Sequence, residues 1–142
     1  MAKEHYIYLG ELVQLAEKYY PKKKFIHAVR VATYAFEKAL VTKGIKPEEA
    51  YAVGLAHDLI EDTDCTPDEL LEVIDSYLVG DILTLTKADE EEYGQYIMNI
   101  VETGSDLAKL VKGADMKDHM MQYDTLTDKL WSKYKPYLRY FL

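Results

Sequence analysis

His57, Asp58, Glu61 and Asp62, followed by Thr63 and Asp64, form the densest polar cluster in a stretch that is otherwise apolar. At about 100° per residue a helix places positions 57, 58, 61 and 62 within an arc of roughly 140°. One imidazole and three carboxylates would then leave the same side. Carboxylates that close repel one another unless protons or a cation intervene. Tyr51 to Ala56 read as buried, so simple solvation is not the obvious remedy. A divalent metal is. Imidazole and carboxylate together suit Mn, Fe, Zn or Mg, and a site built from both needs more than one helix. Two further residues qualify: His27, flanked by Phe25, Ile26, Ala28 and Val29, and Asp115, which ends the largely apolar run Leu110 to Ala114. Taken alone, each has an ordinary reading, a packed histidine and a capping or solvated aspartate.

These residues must be positioned by helices, because apolar residues recur at helical spacing almost throughout. The first helix runs from about His5 to Tyr20 and stops at Pro21, and the second from about Lys24 to Lys43, with Gly44 as its stop. A third begins near Pro47 and carries the polar cluster. The fourth opens on the capping box Thr66 to Glu69 and continues to about Leu78. Ile82 to Thr86 reads as a helical turn in preference to a short strand. Asp89 and Glu92 make a box-like start for a helix ending at Gly104, Ser105 caps a sixth, and the last spans about Thr127 to Tyr140 with a kink at Pro136. The expected fold is all-α, a single bundle of about six to seven helices over residues 1–142.

Composition narrows the functions available. At 142 residues the chain can bury a core without disulfide or metal staples, which leaves any metal free for chemistry. Seventeen basic against twenty-five acidic residues, a net charge of -8, argues against binding a nucleic-acid polymer or lying on an anionic membrane. No stretch approaches the roughly 18 apolar residues of a membrane span. The single Cys65 allows no internal disulfide or cysteine cage, and its acidic neighbours make it unreactive. A cytoplasmic protein is expected.

The series His27, His57-Asp58, Asp115 resembles the H...HD...D signature of the HD superfamily of metal-dependent phosphohydrolases. Within it, His57 to Thr66 reads HDLIEDTDCT and is similar to the HDxxEDTDxT pattern of the (p)ppGpp hydrolase domains of the RelA/SpoT-homologue family. Leu85-Thr86-Lys87 resembles that family's VTK segment, and KLVKGADMKDH, Lys109 to His119, its KLVKLADRLHN segment. The likeness covers about residues 5 to 125. It implies an HD-domain bundle in which His27, His57, Asp58 and Asp115 hold one divalent metal, manganese foremost, with Fe, Zn, Co or Mg also compatible. It further implies that Glu61 and Asp62 act beside it as catalytic carboxylates. Such an ion polarises a phosphoryl oxygen and activates water, and paired carboxylates move the protons. The implied substrate is a small nucleotide carrying a 3′-diphosphate, cleaved to GDP or GTP and diphosphate.

The chain departs from the family where the nucleotide is held. The family's RxxGxPYIxHP approach to the first ligand is replaced by Tyr20 to Ala28, so its Arg has no counterpart, and Lys18 is a poor substitute. His119 and Gln122 stand where the family has Asn and Thr. A different nucleotide, or a regulatory module that binds without turnover, are therefore the alternatives, although all six motif residues are intact. Candidate substrate contacts are Lys23 and Lys24, in a basic run that could equally be a solvated loop, together with Lys112, His119 and Gln122. Lys117 is an alternative to Lys112. Tyr19, Tyr20 and Tyr123 are candidates to stack on a base. The aromatic stripe of Trp131, Tyr134, Tyr137, Tyr140 and Phe141 is expected to cover the core.

Overall fold

The computed structural model describes residues 6–122 and 126–141; His5 and Tyr123 lie outside the described residues. Among the described residues the protein is all-α, as expected. Its helices are α1 (Leu9–Tyr19), α2 (Lys22–Leu40), α3 (Pro47–Ala56), α4 (Leu59–Asp62), α5 (Pro67–Leu71), α6 (Ser76–Thr84), α7 (Tyr93–Thr103), α8 (Asp106–Met121) and α9 (Asp128–Tyr134), with a closing 3-10 turn over Lys135–Tyr140. None is long and apolar enough to cross a membrane.

Small residues set the centre of the bundle. On α2, Ala28, Val31, Ala32, Ala35 and Ala39 are buried, and on α3 so are Ala50, Ala52, Val53 and Gly54. Gly54 lies so close to α2 that an added Cβ would stand 2.8 Å from the Ala32 Cα. The two helices run antiparallel, with Tyr51 against Phe36 at one end and His57 near His27 at the other. The N-terminal end of α2 and the C-terminal end of α3 thus meet, and α8 packs across both. Around this frame Leu12, Leu55, Leu59, Leu70, Ile74, Leu78 and Ile82 are fully buried, each contributing about 1.5–3 kcal/mol relative to exposure.

The helix count exceeds the expected six to seven because two expected helices are broken. The third does not run through the polar cluster. An unbroken helix would bond Asp58 N–H to Gly54 C=O and Leu59 N–H to Leu55 C=O. Instead His57 Nδ1 donates to Gly54 O at 2.6 Å, the Tyr20 hydroxyl donates to Leu55 O at 2.9 Å, and that hydroxyl accepts from Asp58 N–H at 3.2 Å. Side chains satisfy the backbone, and a turn at His57 and Asp58 separates α3 from α4.

The fourth breaks at Glu72 to Asp75. The capping box forms, with Thr66 and Glu69 satisfying each other's N–H groups. The β-branched pair Val73 and Ile74 is then drawn into an antiparallel bridge with the N-terminal segment, where Tyr8 N–H donates to Val73 O at 2.8 Å and Asp75 N–H to Tyr6 O at 3.1 Å. Those same bonds hold Tyr6 to Tyr8 against residues 73–75, so α1 starts at Leu9. Ile82 to Thr84 complete α6, in keeping with the helical reading of that stretch.

Smaller differences follow local chemistry. α2 begins at Lys22, directly after Pro21, so the lysine run is its first turn and not a loop; it ends at Leu40, with Gly44 at φ 87° in the following turn. No box forms at Asp89, because Lys87 Nζ and Glu91 N–H both donate to Ala88 O and tighten a turn there; α7 starts at Tyr93. Ser105 caps α8 as expected, and Thr127, at the expected start of the last helix, caps α9. Pro136 falls in the 3-10 turn that replaces the kink. The aromatic stripe divides: Tyr134 is buried and Tyr137 and Phe141 half-buried, while Trp131 and Tyr140 are exposed.

Candidate functional site

His27 comes from the second turn of α2, His57 and Asp58 from the turn after α3, and Asp115 from the middle of α8. The packing of those elements brings one ligand atom from each within 4.8 Å of all the others. His27 Nε2 lies 2.9 Å from Asp115 Oδ1, and His57 Nε2 lies 3.1 Å from Asp58 Oδ2 and 3.3 Å from Asp115 Oδ1. His27, His57 and Asp115 are buried. Among the described residues His57 Nε2 is one of two buried side-chain polar atoms with no hydrogen-bond partner. Because its Nδ1–H is held by the Gly54 carbonyl, Nε2 is the nitrogen that faces the carboxylates, and it would become the metal ligand once a bound cation displaces its proton. Two nitrogen and two carboxylate donors fit a borderline or hard divalent cation.

The charges depend on one another. Burial opposes charge on His57, yet Asp58 and Asp115 overcome it and hold its pKa well above the ordinary imidazole value. Burial likewise opposes charge on Asp115, but Lys112, whose ammonium is 3.0 Å from Asp115 Oδ2, and His57 hold that carboxyl well below its usual range. His57 also lowers the Asp58 carboxyl. Lys112 is itself buried, beneath the rings of Tyr93 and Tyr96. The cluster thus keeps its cations and anions charged by mutual proximity, in a place where each alone would be costly.

Glu61 and Asp62 sit beside this centre on α4, and each brings an oxygen within 4.8 Å of the Asp58 carboxylate. Their surroundings differ. Glu61 accepts the Lys87 N–H at 2.6 Å, and burial pushes its pKa up, helped by Asp58 and Asp62. Asp62 pairs with Lys24 Nζ at 2.7 Å.

A cavity of about 290 Å³ opens over the cluster, walled by Lys24, Lys87, Lys112 and Lys133, by Tyr93, Tyr96 and Tyr134, and by Asp58, Glu61, Asp62, Asp115 and His119. A groove of about 460 Å³ adjoins it, sharing Lys24 and His119 and adding Lys23, Ile26, Arg30 and Gln122. The expected substrate contacts therefore divide: Lys24, Lys112 and His119 face the cavity, whereas Lys23 and Gln122 face only the groove. His119 stacks on His27 at 4.5 Å between ring centres. Lys117 lies elsewhere, over Tyr34, and Lys18 lies over Tyr19. Tyr19 donates to Glu69, and buried Tyr20 positions the α3–α4 turn, so neither fits a stacking platform.

Several residues escaped the sequence reading. Lys133, Tyr93 and Tyr96 reach the site from other elements and carry no local signal, while Tyr20 and Tyr134 figure in the sequence only as a stacking candidate and as core cover. Asp118 and Arg30 stand behind His27; the one available hint was the spacing of Asp118, a single turn after Asp115.

No protein-family model matches the chain, and no curated protein matches it. A solved structure of a metazoan ortholog of SpoT, described as hydrolysing ppGpp and playing a role in starvation responses, superposes with a TM-score of 0.73. It covers 98% of this chain and 85% of that one, at 21% sequence identity. The chain has an HD-type fold like that of a (p)ppGpp hydrolase. The likeness extends over nearly the whole chain, wider than the motif-bearing stretch that resembles the family in sequence.

Proposed function

We propose that this protein is a metal-dependent nucleotide phosphohydrolase acting as one domain over residues 1–142. In this reading it cleaves guanosine-3′,5′-bis(diphosphate), or its triphosphate counterpart, at the 3′ position to GDP or GTP and diphosphate. His27, His57, Asp58 and Asp115 hold one divalent ion, manganese foremost. The observation that carries the reading is the buried His57 Nε2, which makes no well-aligned hydrogen bond and faces the Asp58 and Asp115 carboxylates within a four-residue donor set. When bound, the ion supplies an activated water and polarises the phosphoryl oxygen.

The chain's own residues do the rest. Glu61 takes the proton from the attacking water, a role that suits a carboxyl whose proton affinity is raised toward the working pH. Asp62, held by Lys24, serves the leaving oxygen. Lys24, Lys87, Lys112 and Lys133 offset the substrate's charge, which an acidic protein must do locally. Lys22, Lys23 and Lys24 occupy the positive end of the α2 dipole, a placement that costs stability and supports a role in anion binding. Tyr93, Tyr96 and Tyr134 exclude water from the far wall.

The missing counterpart of the family's Arg favours a second reading, the same chemistry on another phosphorylated nucleoside. Anion-exchange chromatography of ppGpp incubated with the manganese-loaded protein separates the two. Release of GDP and diphosphate, absent in Asp62→Asn, supports the first. Turnover confined to other nucleotides supports the second. Silence across a wider nucleotide panel would leave a binding module.

A further inference from the structure

Asp118 is 1% exposed and lies one turn beyond Asp115 on α8. Its Oδ2 is 2.6 Å from His27 Nδ1. Arg30, one turn beyond His27 on α2, grips the same carboxylate from the other side, with Nε 2.6 Å from Oδ1 and an Nη2 contact of 3.1 Å to Oδ2. A buried carboxylate needs such partners, and the planar guanidinium fork fixes the plane of the carboxylate as well as neutralising it.

The consequence falls on His27. Once the ring is neutral, Nδ1–H donating to Asp118 leaves the lone pair on Nε2, which faces Asp115 at 2.9 Å and Asp58 at 4.0 Å. His57 obtains the same tautomer from a neutral backbone carbonyl. The two imidazoles of the donor set are thus oriented by different devices, and only His27 has a carboxylate side chain behind it. A carboxylate behind an imidazole makes the distal nitrogen a stronger donor and restrains the ring.

We infer that Asp118, clamped by Arg30, is a positioning residue that fixes the tautomer, orientation and donor strength of His27 toward a divalent cation. This rests on the metal reading proposed above. A simple strut between α2 and α8 would use the same contacts, so the test must reach beyond stability.

Mn²⁺ affinity is measured by calorimetry on wild type, Asp118→Asn and Arg30→Gln, with melting of each metal-free protein alongside. Imidazole ¹⁵N spectra of the Zn²⁺-loaded proteins report His27 directly. The expected result is about a ten- to hundredfold loss of affinity in Asp118→Asn, a smaller loss in Arg30→Gln, and loss of the strongly deshielded His27 Nδ1–H signal in Asp118→Asn. An Asp118→Asn protein that melts lower yet binds Mn²⁺ within about twofold of wild type, with that signal unchanged, overturns the inference and leaves a strut. Should Asp118→Asn fail to fold, Arg30→Gln decides alone, because Arg30 is partly exposed: wild-type affinity and an unchanged His27 signal overturn the inference. A wild-type protein that binds neither ion overturns the metal reading and this inference with it.

Discussion

Glu61 and Asp62 are adjacent carboxylates on one short helix, yet one accepts a backbone N–H and the other is paired with a lysine. That difference is why Glu61 is the proposed proton acceptor. Glu61→Gln is expected to lower kcat by about a hundred- to ten-thousandfold while leaving KM within a few-fold, which steady-state kinetics on the substrate identified by chromatography would show. The donor residues were legible because their types are rare on apolar helices and their order along the chain is distinctive. Asp118 and Arg30 were not, because a carboxylate beside a lysine looks like any solvated helix face until α2 is packed against α8.

At the scale of the element, the break between α3 and α4 does the positioning. Apolar periodicity marked nearly every helix, since burying one stripe is what stabilises a short helix. It could not show where tertiary bonds take over the backbone, as the Tyr20 hydroxyl does at Leu55 and Asp58 and the N-terminal segment does at Val73 and Asp75. Tyr20→Phe leaves the Leu55 carbonyl and the Asp58 N–H without that partner at almost unchanged volume. The expected cost is about 1–3 kcal/mol in denaturant unfolding, with weaker Mn²⁺ binding because Asp58 loses its anchor. Unchanged stability and affinity would mean that the turn is set by packing alone.

For the whole molecule, the charged cluster ties stability to pH. In the metal-free protein the His57 pKa lies above its unfolded value. Its contribution is therefore complete below the unfolded imidazole pKa of about 6.5 and is lost as pH rises through the folded value. Asp58 and Asp115 lie below their unfolded values, so their contribution is complete above about pH 4 and is lost on acidification. Metal-free protein should be most stable between those limits, and its Tm should fall from about pH 6 to about pH 8.5. Saturating Mn²⁺ should flatten that fall, because the ion supplies the positive charge that the proton otherwise brings. A metal-free Tm that rises over the interval would contradict the account of the cluster.

The measurement that bears most directly on the central claim is the Mn²⁺ content of protein dialysed to equilibrium against the ion. One ion per chain in wild type, lost in Asp58→Ala and kept in Glu61→Gln, is the predicted result. Unchanged metal stoichiometry in Asp58→Ala would contradict the donor set and the function built on it.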